Sequence, residues 1–326
     1  MRTTTHKLIE DLQHEADENR RCIISDDKKQ VRLLYRQRRL GTIDSPWPGM
    51  FVTLDAWQMI KPDERMRRIV RTLAVRHPSW VFCGLTAALM HGLQVHYDDL
   101  RPVHVVEHDP GHGKNSELVV RHVLPDRSEF SLVDGVLATT LERTVMDCLA
   151  SLDFPRGLAI ADSALRVSGK SRKHFIDYIK THATGEVCNR ALDAMAWADA
   201  RAANGGESVA RAVMIEQGFM VPDLQVMVPN ALEGGVYYTD FQWTLPDGTR
   251  VAGELDGLDK YLDPNMTGGR SIARVMSDER RRESRLGASD LKVVRFSYED
   301  VLDTERFVQL LMLYGIPRGK ARPRGR

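Results

Sequence analysis

The sequence predicts a mixed α/β protein composed of several domains. Its 326 residues exceed the usual length of a single domain. Amphipathic helical segments alternate with segments whose apolar residues recur at every second position, as in strands. An Asn-Gly-Gly break at 204–206 interrupts this succession, which then starts again. We expect an N-terminal region at 1–60, a middle α/β domain at 61–200, a C-terminal domain at 201–316 and a disordered basic tail at 317–326.

The composition indicates what class of protein this is, but it does not identify a binding partner. The chain has 46 basic and 45 acidic residues, so its net charge of +1 identifies no ligand, although basic residues are concentrated at 20–39, at 65–76 and in the tail. Its four cysteines form no CxxC pair, which favours a reducing compartment over a zinc ribbon or a disulfide scaffold. Because no stretch approaches the length of an apolar membrane span, we expect a cytoplasmic protein with no membrane partner.

The N-terminal region is predicted to contain two helices and then a short strand. Residues 5–19 predict a polar helix, and residues 26–39 predict a basic helix with Ser25 as its N-cap. The stretch PWPGMFVTL then predicts a tight turn and a strand, an order typical of a winged helix-turn-helix. An ordinary solvated surface is the alternative for a charge-rich helix. In the DNA-binding interpretation, these basic side chains would reach the major groove: Lys28, Lys29, Arg32, Arg36 and Arg39.

The middle domain is predicted to begin and end with helices. Residues 62–95 are mostly helical, and the segments RPVHVVEH, SELVVRHVL and SLVDGVLAT predict three strands within 101–139. Helical segments then continue to about residue 200. This order predicts an α/β domain between the N-terminal and C-terminal regions.

A hairpin is the most specific structural prediction for the C-terminal domain. Two alternating segments, YYTDFQWTL and TRVAGELDG, flank the turn signal Pro-Asp-Gly. A three-residue loop with its glycine in the left-handed conformation makes Trp243 face Val251 and Phe241 face Gly253. These two pairs share one apolar face of the predicted hairpin.

Three carboxylates converge on the other face of this hairpin. The same register places Asp240 directly opposite Glu254, with Cβ atoms about 5 Å apart, and Asp256 points to the same side as Glu254. Opposed like charges destabilise a strand pair unless a cation compensates them, so the group predicts a magnesium site. Such a site can activate water and stabilise displacement at phosphorus. A solvated strand face remains the alternative.

Several arginines near this predicted site are candidate phosphate ligands. Arg295 lies within the last predicted strand, and its side chain points to the acidic face if its apolar neighbours form the core. There it could pair with the carboxylates or bind phosphate. The helix predicted before this strand carries Arg281, Arg282 and Arg285, which either contact phosphate or form ion pairs on an exposed helix.

The C-terminal motifs ESVARAVMIEQGF, TDFQW, GELDGLDKY and DERRRESRLGASDLKVVRF resemble small Vsr-like domains with the PD-(D/E)xK restriction-endonuclease-like fold. The resemblance implies an αβββαβ fold, magnesium-dependent cleavage of DNA and a set of metal-organising acids comprising Glu207, Asp240 and Glu254. Asp256 stands where many family nucleases have lysine. It could be a further metal ligand, or Lys260 could supply the ammonium group from the end of the strand. An acid such as Glu207 near a helix N-terminus also suits the helix dipole without any catalytic role.

The first half of the chain resembles AbiEi-type antitoxins and transcriptional regulators. The motifs that carry this resemblance are PGMFV, FCGLTAALMHGLQV, TLERTVMDCLA and IADSALRVSG, within 20–170. It implies an N-terminal domain that binds operator DNA and a middle domain that counters a nucleotidyltransferase-like toxin.

Two functions of different classes follow from the sequence. One is a DNA-binding protein with a magnesium-dependent endonuclease domain, in which the acids hold the ion and Lys260 or Arg295 stabilises phosphate charge. The other is a non-enzymatic antitoxin or repressor whose nuclease-like fold is a degenerate scaffold. The carboxylate pairing favours the enzyme, whereas aspartate at the lysine position favours the repressor. A third option is a protein that binds a toxin partner and for which DNA contact is secondary.

Overall fold

The computed structural model describes residues 2–107, 115–124, 129–229, 235–256 and 291–319. The chain divides into two compact units, Met1–Cys148 and Leu149–Arg326. Both units combine helices with a β-sheet, which confirms the predicted mixed α/β class. None of the described helices combines the length and apolar character that a membrane span requires.

This division does not coincide with the boundaries predicted at residues 60 and 200. In the first unit, Trp47 and Met50 belong to the same buried core as Phe82 and Val105. In the second unit, Ala159 belongs to the core that lies beneath the C-terminal sheet. The Asn-Gly-Gly break at 204–206 was the basis for the boundary near residue 200, whereas cores shared between segments determine the observed units.

The elements of the first unit run from an N-terminal helical pair to a β-sheet. They are α1 (Arg2–Glu18), α2 (Lys28–Arg39), β1 (Ile43–Trp47), β2 (Met50–Thr53), α3 (Leu54–Gln58), α4 (Pro62–Arg76), α5 (Gly84–Met90), β3 (Val103–Glu107), β4 (Val119–Val123), β5 (Phe130–Val133) and β6 (Val136–Thr139). The next helix, α6 (Leu141–Ser151), contains the boundary between the two units.

The two predicted N-terminal helices are present, and β1 pairs with β2 in an antiparallel hairpin. The predicted N-cap Ser25 is wrong, because Asp27 caps α2 by accepting a hydrogen bond from the backbone N–H of Lys29 at 2.8 Å. The Ser25 hydroxyl instead donates to the side chain of Gln30 and accepts from the N–H of Asp27. Both residue types are good caps, so the sequence alone could not choose between them.

The sheet of the first unit is built around the segment at 81–83. Phe82 bridges β3 on one side and β6 on the other, while β4 pairs with β3 and β5 pairs with β6. The single strand predicted for SLVDGVLAT is wrong: the chain forms two antiparallel strands, β5 and β6, joined at Asp134 and Gly135. Their φ angles of +46° and +80° are those of the tight hairpin turn that Asp-Gly favours.

In the part of the second unit that the structure describes, four helices precede the sheet and two follow it. The elements are α7 (Phe154–Ser168), α8 (Arg172–His182), α9 (Gly185–Trp197), α10 (Gly205–Glu216), β7 (Asp223–Pro229), β8 (Val236–Thr244), β9 (Arg250–Asp256), β10 (Leu291–Ser297), α11 (Tyr298–Leu302) and α12 (Thr304–Leu313). The sheet order is β10-β9-β8-β7, with β10 parallel to β9 and the other pairs antiparallel. The helix predicted between β9 and β10 lies outside the described residues.

The predicted β8–β9 hairpin is confirmed. Trp243 pairs with Val251 and Phe241 pairs with Gly253, which is the predicted register. Gly248, at the turn, has the left-handed φ of +86° that the three-residue loop requires. Because this register is correct, Asp240 and Glu254 occupy neighbouring positions on adjacent strands.

A buried ion pair connects α7 to α10 in the second unit. Both carboxylate oxygens of Asp162 accept hydrogen bonds from Nη2 of Arg211, at 2.7 and 2.8 Å, and both side chains are at most 4% exposed. Asp162 also accepts from the backbone N–H of Asp199, and Arg211 also donates to the carbonyl oxygen of Trp197. The pair therefore links three segments that lie before the sheet.

We expect Asp162→Ala to lower the free energy of unfolding by about 3–5 kcal/mol, because it leaves the Arg211 guanidinium buried without its carboxylate. Urea denaturation followed by circular dichroism measures this change. Asp177→Ala is the control, because it removes an exposed pair with Lys173 that contributes at most about 0.5 kcal/mol. Equal, small losses in the two variants would contradict the prediction.

Candidate functional site

The first candidate site lies where the β8–β9 ladder ends, at Asp240 and Glu254. The last pair of the ladder is Phe241 with Gly253, and beyond it the Oδ2 atom of Asp240 accepts a hydrogen bond from the backbone N–H of Leu255 at 2.9 Å. The Asp240 side chain thus binds backbone of β9, although the sequence predicted only a side chain facing Glu254. Its other carboxylate oxygen, Oδ1, makes no hydrogen bond to the described part of the chain.

Asp240 also marks an irregularity in the pairing of β8 with β7. Leu224 pairs with Phe241 and Val226 pairs with Thr239, but the pair between them is missing from the ladder. The β7 residue at that point, Gln225, has a φ of +50°, a conformation that non-glycine residues rarely adopt. Such departures from regular pairing redirect side chains and are concentrated near functional sites.

Glu254 and Asp256 lie beside Arg295 of β10. Glu254 is only 5% exposed, and Arg295 is its register partner in the parallel β9–β10 pair. Val294 and Phe296 are buried in the core, so Arg295 lies on the acidic side of the sheet, as the sequence predicted. Its Nη2 atom lies 3.1 Å from Oδ1 of Asp256. Asp256 therefore compensates the guanidinium, a contact that competes with its predicted role as a metal ligand.

Glu207, the predicted acid of the preceding helix, is engaged in local hydrogen bonds. Its carboxylate accepts from the N–H of Ala203 at 2.8 Å, from Nδ2 of Asn204 at 2.6 Å and from Nε2 of Gln225 at 3.2 Å. Asn204 in turn caps α10 by accepting from the N–H of Glu207. These contacts give Glu207 a capping role and connect it, through Gln225, to the strand position beside Asp240.

The chemistry of Asp240 and Glu254 suits a hard divalent cation that takes one or two protein carboxylates and completes its shell with water and phosphate oxygens. Among the described residues, however, no group of three or more His, Cys, Asp or Glu side chains is arranged to hold a metal ion. The predicted site residues Lys260 and Arg282 lie outside the described residues, as do Arg281 and Arg285.

The second candidate site is the exposed face of α2 in the first unit. Leu34 is the buried residue of this helix and is 0% exposed. At about 100° of rotation per residue, the five predicted DNA-binding side chains fall within an arc of about 100° that is centred nearly opposite Leu34. All five are exposed, and none of them forms an ion pair within the described ranges: Lys28, Lys29, Arg32, Arg36 and Arg39. We call this surface the basic face.

The structure also contains a polar pair that the sequence did not indicate. Nδ1 of His104 on β3 and Nε2 of His122 on β4 lie 2.8 Å apart. Burial, together with the neighbouring imidazole, lowers the pKa of His104 to about 4, and burial also lowers the pKa of His122. Both rings are therefore neutral near pH 7, and one nitrogen donates to the other. Only strand pairing across a long connection brings these residues together, so no local motif reveals them.

No protein-family model matches the sequence. The chain is similar to two uncharacterized proteins of Mycobacterium tuberculosis, one from strain CDC 1551 and one from strain H37Rv. Each is 28% identical over 184 residues, which are 56% of this chain and 65% of the relative. The match thus spans less than two thirds of the length of these relatives, and their names describe no activity.

We expect Gly253→Val to destabilise the second unit, because Gly253, next to Glu254, packs against the Trp243 ring and the Cβ atom of Phe241. A Cβ atom there would lie 2.9 Å from Trp243 and 3.1 Å from Phe241. Overpacking of this kind costs about 1–3 kcal/mol. Thermal unfolding followed by circular dichroism measures the loss, with the exposed substitution Thr244→Val on the same hairpin as the control. An unchanged midpoint in Gly253→Val would contradict the described register.

Proposed function

We propose that this protein binds DNA through the basic face of α2. The observation that carries the proposal is the separation of charge on this helix: five cations lie along one side, and the buried Leu34 lies on the other. Cations without ion-pair partners in the described structure are available to neutralise phosphates and release counterions. A basic surface that runs along one helix is the electrostatic pattern expected of a nucleic-acid interface.

The elements around α2 support this proposal. Residues of α1, α2 and the β1–β2 hairpin share a small buried core that contains Ile9, Leu34, Ile43 and Phe51. The Tyr35 ring also meets the Phe51 ring edge to face, with centroids 5.0 Å apart. Two helices followed by a hairpin are consistent with a winged helix-turn-helix, in which the second helix enters the major groove. Packing against α1 and the hairpin would hold α2 in a fixed orientation for docking.

We expect the double variant Arg32→Glu/Arg36→Glu to lose binding to duplex DNA. Each charge-assisted contact is worth about 1.5–3 kcal/mol, so affinity falls about tenfold or more for each contact removed. Fluorescence anisotropy with a labelled duplex from the protein's own promoter at a fixed salt concentration measures the change.

Arg38→Glu is the matched control for the single variant Arg36→Glu, because each of them reverses one charge. Arg38 is an exposed arginine of the same helix, but it lies about 130° around the helix from the centre of the basic face. We expect its reversal to weaken binding much less than reversal on the basic face. Equal loss in both single variants, or unchanged binding by the double variant, would remove the basic face from the interface.

A second candidate function is magnesium-dependent hydrolysis of DNA phosphodiesters by the second unit. The observation that favours it is the position of Asp240 and Glu254 on adjacent strands, with Arg295 in register beside Glu254. Asp240 Oδ1 and the Glu254 carboxylate would hold the ion, which when bound would supply charge neutralisation and an activated water. Arg295 would place positive charge beside the phosphate. The αβββ order and the parallel last strand are consistent with a restriction-endonuclease-like fold.

We expect Glu254→Gln, which preserves the side-chain shape, to abolish cleavage of plasmid DNA in the presence of magnesium or manganese. Conversion of supercoiled plasmid to nicked or linear forms measures the activity. Glu305→Gln changes an exposed acid of α12 and should leave cleavage unchanged. Cleavage that persists in Glu254→Gln excludes this site. Absence of cleavage by the unmodified protein, with DNA binding retained, favours a non-enzymatic repressor.

The repressor alternative also includes a protein partner. The engagement of Asp256 by Arg295 and of Glu207 by its own helix cap favours a scaffold over an active nuclease. In that case the protein would act as a DNA-binding antitoxin, with a nucleotidyltransferase-like toxin as the partner. Co-purification with the product of an adjacent gene of that type would support this alternative.

A further inference from the structure

The turn of the β1–β2 hairpin is held by two arginines from other parts of the first unit. Arg76, the last residue of α4, donates from Nη1 to the carbonyl oxygen of Pro48 at 3.0 Å and from Nη2 to that of Gly49 at 2.6 Å. Arg101 donates from Nη2 to the carbonyl oxygen of Pro46 at 2.6 Å. The two guanidinium groups thus bind carbonyls within four consecutive residues, 46–49. A fully extended chain of that length would separate the outermost of these carbonyls by about 11 Å at most.

Local packing fixes both side chains at this turn. A Cβ atom on Gly49 would lie 3.0 Å from Nη1 of Arg76, so glycine permits this close approach, and its φ is +69°. The Arg101 guanidinium carbon lies over the Trp47 ring, 5.3 Å from the ring centroid. Trp47 is itself only 6% exposed. These contacts order the two long side chains before any ligand binds, which lowers the entropy cost of binding.

The charges of these two arginines are not neutralised by acids in the described part of the chain. Arg76 and Arg101 are exposed, and their acceptors are neutral carbonyl groups, with no carboxylate within ion-pair distance among the described residues. Burial, followed by the charges of Arg76 and Arg121, lowers the pKa of the neighbouring His77. Other arginines of this unit do contact carboxylates: Arg20, Arg67, Arg68, Arg71, Arg121 and Arg143.

We infer that Arg76 and Arg101 form a second phosphate-binding point at the hairpin turn and that its ligand is the backbone of duplex DNA. Each guanidinium has five N–H donors, of which Arg76 uses two and Arg101 uses one on the turn carbonyls, so both retain donors for phosphate oxygens. Two ordered cations with neutral acceptors bring positive charge that no acid balances to one turn, and this charge attracts an anionic ligand.

The location of the pair favours DNA as the source of the phosphate. The hairpin and α2 share one buried core, so the arginine pair and the basic face keep a fixed relation to each other. The basic face extends about 17 Å along α2, which exceeds the spacing of successive phosphates on a strand. Duplex DNA presents a continuous series of phosphates along each strand, which suits a protein with two separate phosphate-binding points. This inference rests on the proposed DNA binding and adds contacts from α4 and from the segment before β3.

The slope of DNA affinity against salt concentration tests this inference. Anisotropy titrations of the full chain with a labelled duplex at 50–200 mM NaCl give the slope of log affinity against log salt. We expect Arg76→Gln and Arg101→Gln each to lower this slope by about 0.9, so the affinity loss over this salt range becomes about threefold to fourfold smaller. Arg156→Gln removes an exposed arginine of the second unit and should leave the slope unchanged.

Lysine variants distinguish two roles of Arg76 and Arg101: binding phosphate, or only holding the turn through hydrogen bonds to its carbonyl groups. Arg76→Lys and Arg101→Lys keep the charge but cannot donate in the fork geometry of arginine. Retention of the wild-type slope in the lysine variants and its loss in the glutamine variants supports the inference. Slopes that are unchanged in the glutamine variants, or lowered equally in the lysine and glutamine variants, overturn it.

Two further outcomes distinguish this inference from the proposed function. Loss of binding on reversal of Arg32 and Arg36, with wild-type slopes in the Arg76 and Arg101 variants, overturns the inference alone. Absence of duplex binding by the unmodified protein at 50 mM NaCl overturns both. Matching thermal midpoints among the variants confirm that slope changes do not reflect unfolding.

Discussion

The burial of Leu34 is the interaction on which the proposed interface depends. It is the buried residue of α2 and lies in a core with Ile23, Ile43 and Phe51. Because α2 is anchored on this side, its rotation about its own axis is determined, and the basic residues must face outward. The burial of Leu34 in a small core thus determines which side of α2, the basic face, is exposed on the first unit.

The first unit combines this orientation with a hairpin that arginines attach to the rest of the unit. Arg76 joins the turn to α4, and Arg101 joins it to the segment before β3. In this account, α2 supplies one set of phosphate contacts and the turn supplies another. The affinity of such an interface falls steeply with salt concentration, since each phosphate contact releases counterions.

The second unit presents a different balance of forces around its carboxylates. One carboxylate oxygen of Asp240 accepts a hydrogen bond from the backbone N–H of Leu255, and Asp256 forms an ion pair with Arg295. The same contacts that hold these acids in place reduce the number of carboxylate oxygens available to a cation. Glu254 is the most buried of these three acids of the sheet. Its substitution therefore distinguishes the hydrolytic proposal from the scaffold alternative most directly.

Features set by neighbouring residues were largely predictable from the sequence, whereas features set by distant pairing were not. Alternation and the Pro-Asp-Gly turn sufficed to predict the β8–β9 register. The Asp-Gly dipeptide at 134–135 is an equally local turn signal. It was missed because the apolar residues on both sides of it alternate as in a single strand. The Asp162–Arg211 pair, the conformation of Gln225 and the carbonyl contacts of Arg101 depend on tertiary packing. For the same reason, the division into two units differs from boundaries placed at breaks in the sequence.

Hydrogen exchange in the presence and absence of duplex DNA tests the central claim most directly, because it locates the interface without substituting any residue. If the basic face binds DNA, amides of α2 and of the hairpin turn at 46–49 become protected on addition of duplex, and this protection decreases as salt is raised. Protection confined to the second unit, or no change in α2 at a DNA concentration that saturates binding, would contradict the account.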